Sequence, residues 1–260
     1  MNRLYITIFL IMVSLCGLPA QSTALSEKWG DNTAYIKPAH TWETGVLQSF
    51  RLGLNDKLEL RTNALLLPVL PNVGIKLSWG SNGGFIFVSE HAVSYPTLFL
   101  QTVAMKGTGG LISPQYSFPF ILAINNALIM SKPVGATSLL SADAGVSFSI
   151  RNGQPDYRSS IDLPLLYPRM AHYYQGISLR AGSSFKGLIA SRLFYEESVR
   201  LFVITRSSDN VFAENAGTLM WAVGKSLRIK AGYCVTWGRY PFGNQFNLMP
   251  TLDLVFGSKR

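Results

Sequence analysis

Apolar and polar residues alternate with a period of two along most of this chain. The clearest run is 139–151. Leu140, Ala142, Ala144, Val146, Phe148 and Ile150 share one face, and Ser141, Asp143, Gly145, Ser147, Ser149 and Arg151 share the other. In 227–238, Leu227, Ile229, Ala231, Tyr233, Val235 and Trp237 oppose Arg228, Lys230, Gly232, Cys234 and Thr236. In 57–67, Leu58, Leu60, Thr62, Ala64 and Leu66 oppose Glu59, Arg61 and Asn63. Val73, Ile75, Leu77 and Trp79 alternate with Gly74, Lys76 and Ser78. In 46–54, Val46, Gln48, Phe50, Leu52 and Leu54 oppose Leu47, Ser49, Arg51 and Gly53. Near the end, Phe246, Leu248, Leu252, Leu254 and Phe256 oppose Asn247, Thr251 and Asp253. Weaker strand signals cover 85–91, 119–131, 172–184, 189–205 and 211–223.

Alternation sustained over about ten residues suits a strand with one face in lipid and one toward a polar interior. Soluble β-sandwiches and lipid-carrier barrels alternate too. Long strands, bulky apolar faces and aromatics near strand ends (Trp79, Tyr173, Trp237, Tyr240, Phe256) favour the membrane. The connections are alternately short and long, as periplasmic turns and outer loops are. Asn55-Asp56 then becomes a periplasmic turn, so 46–54 runs inward. An outward strand must precede it, and Thr33–Pro38 is the candidate. The expected fold is all-β: an antiparallel up-and-down transmembrane barrel of about twelve strands. Ten is the fallback if 33–38 and 85–91 do not span.

Composition sharpens this picture. Of 260 residues only 14% are charged while 48% are hydrophobic. A disordered chain would show the reverse. No apolar run of helical-span length follows residue 25, and a closed barrel is the other architecture that satisfies its backbone in lipid. Residues 1–24 read as an export signal: Arg3, an apolar stretch Leu4–Leu15, the breakers Gly17 and Pro19, then Ser22-Thr23-Ala24 before a cut. The mature chain, 25–260, is then a single barrel domain starting at Leu25. A lipidated Cys16 is the rival, set back by Leu15, which is not small; an uncleaved anchor is the other. Cleavage leaves Cys234 as the one thiol, so no internal disulfide is expected.

The amphipathic Phe246–Phe256 strand, ending in an aromatic before an atypical Gly-Ser-Lys-Arg tail, resembles the closing strand of Gram-negative outer-membrane barrels. The stretch GVLQSFRLGLNDKLELRTNALLLPVLPNVGIKLSW, with Tyr240-Pro241-Phe242-Gly243, is similar to uncharacterised exported barrels and to transport barrels of the MetA type linked to aromatic degradation. That resemblance implies outer-membrane lipid and the barrel assembly machinery as partners and a small solute as cargo. It carries no catalytic residues across.

Chemistry is expected in two places. By alternation Arg51, Arg61, Lys76, Arg151, Arg180, Arg228 and Lys230 point inward, opposed by Glu59, Asp143 and Asp253. With a formal net charge of +9, this suits a lumen for polar or anionic solutes. The same charges can pair into a static network that fills the barrel, giving a structural or surface-interaction protein instead. The second place is the outer loops. In 92–110, Ser94 is positioned to cap a helix, Pro96 sits in its first turn, and Leu98, Leu100, Val103 and Met105 are apolar until Gly107. A helix over 94–106 is expected, folded into or against the mouth as a gate or lid. The loop 152–171 brings Leu163, Leu165, Leu166 and Tyr167 to the same opening.

His40, His91 and His172 have no metal-binding spacing, and no metal or cofactor is expected. Barrel enzymes with a lipid-facing Ser–His pair exist; Ser94, Ser131 and Ser141 are the serines set beside His91, without a positive case for catalysis. The glycine-rich GSNGG and GTGG stretches lack a phosphate-loop lysine and read as turns. The basic residues alternate along strands rather than forming a stripe, which excludes nucleic acid.

Overall fold

The computed structural model describes residues 31–106, 111–205, 211–224, 226–240 and 243–258. The export segment, Cys16, the 107–110 turn, Pro241-Phe242 and the last two residues lie outside these. Twelve antiparallel strands close into one barrel: β1 Trp42–Gly45, β2 Phe50–Asn55, β3 Leu58–Thr62, β4 Asn72–Asn82, β5 Phe85–Ser94, β6 Ile121–Val134, β7 Ser138–Arg151, β8 Ser178–Ala190, β9 Leu193–Ile204, β10 Val211–Ala222, β11 Leu227–Tyr240 and β12 Gly243–Gly257. Each pairs with its neighbours in sequence, and β1 closes on β12 through Glu43–Gly257 to Gly45–Val255. Two short helices, α1 (Thr97–Ala104) and α2 (Tyr167–Tyr174), stand in the long loops at one end. No described helix is long and apolar enough to cross a membrane.

The alternation maps onto the wall as expected. On β7 Leu140, Ala144 and Ile150 are exposed outward while Ser141 is buried within. On β11 and β12 Trp237, Phe246, Leu248 and Leu252 are among the most exposed residues, and Cys234, Thr236 and Asp253 are buried. An apolar belt around a polar interior is stable only where lipid, not water, wets the belt. We expect Ala144→Arg to abolish most barrel assembly, because an arginine at mid-height on the lipid face costs about 2–4 kcal/mol. Ser147→Arg, on the inner face, should assemble normally. Heat-modifiable gel migration of membrane fractions reads both; equal yields would contradict the register.

Three sequence expectations need correction. Thr33–Pro38 is not a strand. It runs inside the barrel without ladder bonds, and the first outward strand is the four-residue β1. Its sequence, WETG, is too short to show a period. The alternation over 46–49 also fails. These residues form the tight link between β1 and β2, and Gln48 turns inward with Arg51. Finally, β3 stops at Thr62. Asn63 and Asn72 then close a turn through Asn63 N–H to Asn72 Oδ1 (2.6 Å) and Asn72 Nδ2 to the Leu70 carbonyl (2.6 Å).

The wall is therefore low over β1–β3. Strand β12 continues from Leu252 to Gly243 with no described strand beside it on the β1 side. The Leu254 carbonyl accepts from Val46 N–H (3.3 Å) and so points to β1. The period of two aims Pro250 the same way. Its missing N–H falls on that free edge, where proline is tolerated and where it blocks pairing with another strand.

Candidate functional site

The inner end of the barrel is filled by the chain's own N-terminal segment. Thr33, Ala34 and Lys37 are buried there. Gly53 admits the segment: a Cβ at this position would lie 2.2 Å from the Pro38 carbonyl oxygen. In exchange His40 N–H donates to Gly53 O (2.8 Å) and Gly53 N–H to Thr41 O (2.9 Å). Farther along, Ala34 N–H donates to Ser131 Oγ (2.8 Å), which is bonded to Ser141 Oγ (2.7 Å). Lys76 and Lys186 donate to the Thr33 and Asp31 carbonyls.

Around this segment the inward charges are paired. Arg51 binds Glu59 through Nε (2.7 Å) and Nη2 (2.8 Å), and Glu59 also accepts from Lys37 N–H (2.9 Å). Arg61 joins Asp31 and Glu90, and Lys76 lies 3.6 Å from Glu90. Glu43 collects Lys37 and Arg228 (2.8 Å), and Lys230 donates to Gln48. Asp253 accepts three backbone N–H groups, from Val46, Leu47 and Gln48 (2.8–3.0 Å), fixing the β1–β2 link. Higher up, Arg180 pairs with Asp143 (2.9 Å). Arg151 donates to the carbonyls of Tyr173 (3.1 Å) and Tyr174. The ten inward candidates from the sequence all take part in these contacts. Glu43, Lys37, Glu90, Lys186 and Glu214 were missed; Glu43 lies outside any alternating run and Lys37 in a segment read as wall, whereas the last three could have been found by extending the period through the weaker strands.

The outer end is closed by the two helical loops. Leu100, Ala104, Ile161, Met170, Tyr173 and Tyr174 form one buried apolar cluster with Ile121 and Ala123 of β6. Tyr167 and Ala171 form another with Phe202, Phe212 and Tyr240 of the wall. Arg169 of α2 reaches Glu214 at 2.6 Å. The first loop departs from expectation in three details. Ser94 is not the cap: it ends β5 and hydrogen-bonds Tyr173. Pro96 holds the cap position without a side-chain bond, and Thr97 Oγ1 instead ties α1 to the Pro119 carbonyl (2.9 Å). Leu100 is fully buried and Val103 partly so, but Leu98 and Met105 are exposed. Burial raises the Tyr173 hydroxyl to about 12.

The histidines occupy three settings. His40 is exposed in the turn before β1, with φ of 61°. His172 is buried in α2, with no hydrogen-bond partner on either ring nitrogen. His91 lies on the outer face of β5, bonded to Ser89 and Asn126. Ser94 sits on the opposite face, and Ser131 and Ser141 lie inside the barrel, so none of the three serines set beside His91 reaches it. Among the described residues no cluster of His, Cys, Asp and Glu could hold a metal ion.

A closed twelve-stranded wall, apolar outside and charged within, decides the architecture. This is an outer-membrane-type barrel. No family model matches the chain, and no curated protein matches it in sequence. Among solved structures, the chain is similar to several outer-membrane proteins. The outer membrane channel DcaP of Acinetobacter baumannii is 10% identical, over 81% of this chain and 61% of that one, at a TM-score of 0.41. OmpT, an outer membrane protein of Vibrio cholerae, is 7% identical over 80% and 62%, at 0.40. OccK5 of Pseudomonas aeruginosa is 13% identical over 87% and 60%, at 0.40. The chain thus spans about three fifths of the length of these proteins.

Proposed function

We propose that the protein is a gated outer-membrane barrel, shut at rest, whose path for small polar or anionic solutes opens when the N-terminal segment leaves the lumen. The observation that carries this reading is the segment itself. It is seated among paired charges, so the interior is occupied by a removable strand of chain rather than by the wall's side chains alone. With it gone, Arg51, Arg61, Lys76, Lys186, Arg228 and Lys230 would line an aqueous route together with Glu43, Glu59 and Glu90, and the cationic excess would favour anions. The export signal read at 1–24 and the apolar belt support an outer-membrane location, reached through the barrel assembly machinery. The fully paired network favours a second reading, a permanently filled barrel with a structural or surface role.

Planar-bilayer conductance separates the two. Intact protein should give no standing channel. Deletion of 31–40, alone or with 97–104, should give discrete steps, with a reversal potential in a salt gradient that shows anion preference. A heat-modifiable barrel that stays silent in both deletions would leave the filled barrel as the function.

A further inference from the structure

The outer wall carries a polar group where the belt should be apolar. Ser89 and His91 share the outer face of β5, two residues apart, and Asn126 stands directly across from His91 on β6. His91 Nδ1 is 2.7 Å from Asn126 Oδ1, and Nε2 is 3.0 Å from Ser89 Oγ. Trp79 Nε1–H donates to the same Oγ at 2.9 Å. Donors and acceptors run one way along this chain. The indole N–H donates to Oγ, the Ser89 hydroxyl to Nε2, and Nδ1–H to the Asn126 amide oxygen. That fixes the tautomer with a free base at Nε2, which is what a serine nucleophile requires.

Two features separate this group from polar residues that merely satisfy each other. Trp79 occupies a β-bulge: the register of β4 against β5 shifts between Ser78 and Gly80. Bulges re-aim side chains and cluster beside active sites, and here the bulge turns an indole onto the serine. Ser89 is 1% exposed beneath an indole that is itself 71% exposed, so a side-chain rotation uncovers the nucleophile without moving the wall. The surroundings also choose the substrate. Val73, Phe87, Val93, Leu128 and Met130 are exposed outer-face residues of β4, β5 and β6. His91 is three residues short of the outer end of β5, about 10 Å along a strand rising about 3.3 Å per residue. The site thus lies within the apolar belt near its outer rim, and lipid acyl esters are the esters that can reach it.

We propose that Ser89, His91 and Asn126 form a hydrolytic site for acyl esters of membrane glycerolipids, acting from the lipid face and independently of the lumen. Ser89 Oγ attacks the ester carbonyl carbon as His91 Nε2 takes its proton. The C–O bond to the glycerol oxygen breaks, and His91 returns the proton to that oxygen, leaving an acyl-serine. Water from the membrane interface attacks the acyl carbon, again giving its proton to His91, and the fatty acid leaves as Oγ is reprotonated. The sum is ester plus water to acid plus alcohol. Asn126 is a positioning residue, holding the imidazole by Nδ1–H.

The test uses the full barrel, folded in mixed micelles of phosphatidylcholine with a labelled acyl chain, and a fluorophosphonate probe with mass mapping. The intact protein should release fatty acid and carry the probe on Ser89. Ser89→Ala should abolish labelling. Ser89→Ala and His91→Asn should each reduce release by about 10⁶-fold, the size of loss when a serine nucleophile or its histidine base is removed. Asn126→Ala should reduce it less than the other two changes. Asn126→Asp should restore it and shift the acid limb of the pH profile to higher pH, because a carboxylate beside Nδ1–H stabilises the imidazolium. Heat-modifiable migration confirms that each variant is folded. Release unchanged in Ser89→Ala, or neither labelling nor release by the folded intact protein, would overturn the proposal.

Discussion

Replacing Glu59 with alanine is expected to destabilise the barrel by about 3–5 kcal/mol, the cost of removing one partner of a buried ion pair. Glu59 is fully buried and receives two bonds from Arg51, itself 1% exposed, together with the Lys37 backbone N–H. The alanine leaves the guanidinium without its bidentate partner and releases one anchor of the N-terminal segment. Pairing the change with Arg51→Met should recover most of the loss, since a buried pair exchanged for apolar side chains of similar volume is close to neutral. The denaturant midpoint of heat-modifiable migration reads both variants. A Glu59→Ala barrel as resistant as the intact one would show that the network does not hold the segment in place.

Barrel and strand faces were legible because the two faces of the wall meet different solvents along many consecutive residues. On β7 the twelve residues from Leu140 to Arg151 alternate without a break, and this arrangement keeps their polar side chains away from lipid. Legibility ended where that contrast ended. Thr33–Pro38 alternates Ala34 and Ile36 with Tyr35 and Lys37 and looks like a strand, yet it is surrounded on all sides by the interior, so its pattern records contacts rather than two solvents. Strand β1 is too short to have a pattern, and α2 was split between the loop 152–171 and a strand signal over 172–184, whose strand begins only at Ser178 because 172–174 are helical. The helix start was readable: Pro168 stands in the first turn, where a missing N–H costs nothing.

The outer-face group was overlooked for a simpler reason. Serine partners for His91 were sought at Ser94, an odd spacing that a strand puts on the opposite face. The same period of two puts Ser89 beside His91. Asn126 needed the cross-strand register of β5 and β6, which one sequence does not contain. The lumen charges were the converse case. Their inward direction was readable, but their partner Lys37 sits on the 33–38 segment assigned to the wall and Asp31 just before it, so the balance of the interior could be judged only from the structure.

Acid is expected to loosen the outer lid through His172. Burial within α2 lowers this imidazole from its ordinary value of 6.5 to about 4, and neither ring nitrogen has a hydrogen-bond partner to stabilise the charged form. When the lid opens, the ring returns to water and to its ordinary affinity for protons. Above about pH 6.5 the ring is neutral in both states, and the lid keeps its full stability. As pH falls from 6.5 toward 4 the open state binds a proton that the closed state refuses, and the closed state loses about 2 kcal/mol by pH 5 and about 3 kcal/mol below pH 4. The backbone anchors nearby do not titrate in this window: Ser149 Oγ donates to the His172 carbonyl (2.6 Å), and the Tyr174 hydroxyl donates to Ser159 O (2.9 Å). Hydrogen exchange over 167–175 should therefore accelerate about thirtyfold more than its intrinsic pH dependence predicts between pH 7 and pH 5, as a 2 kcal/mol loss requires. His172→Leu should abolish that excess while preserving the lid at neutral pH. If the excess survives in His172→Leu, another group opens the mouth; if the intact protein shows none, the ring is protonated without leaving its site.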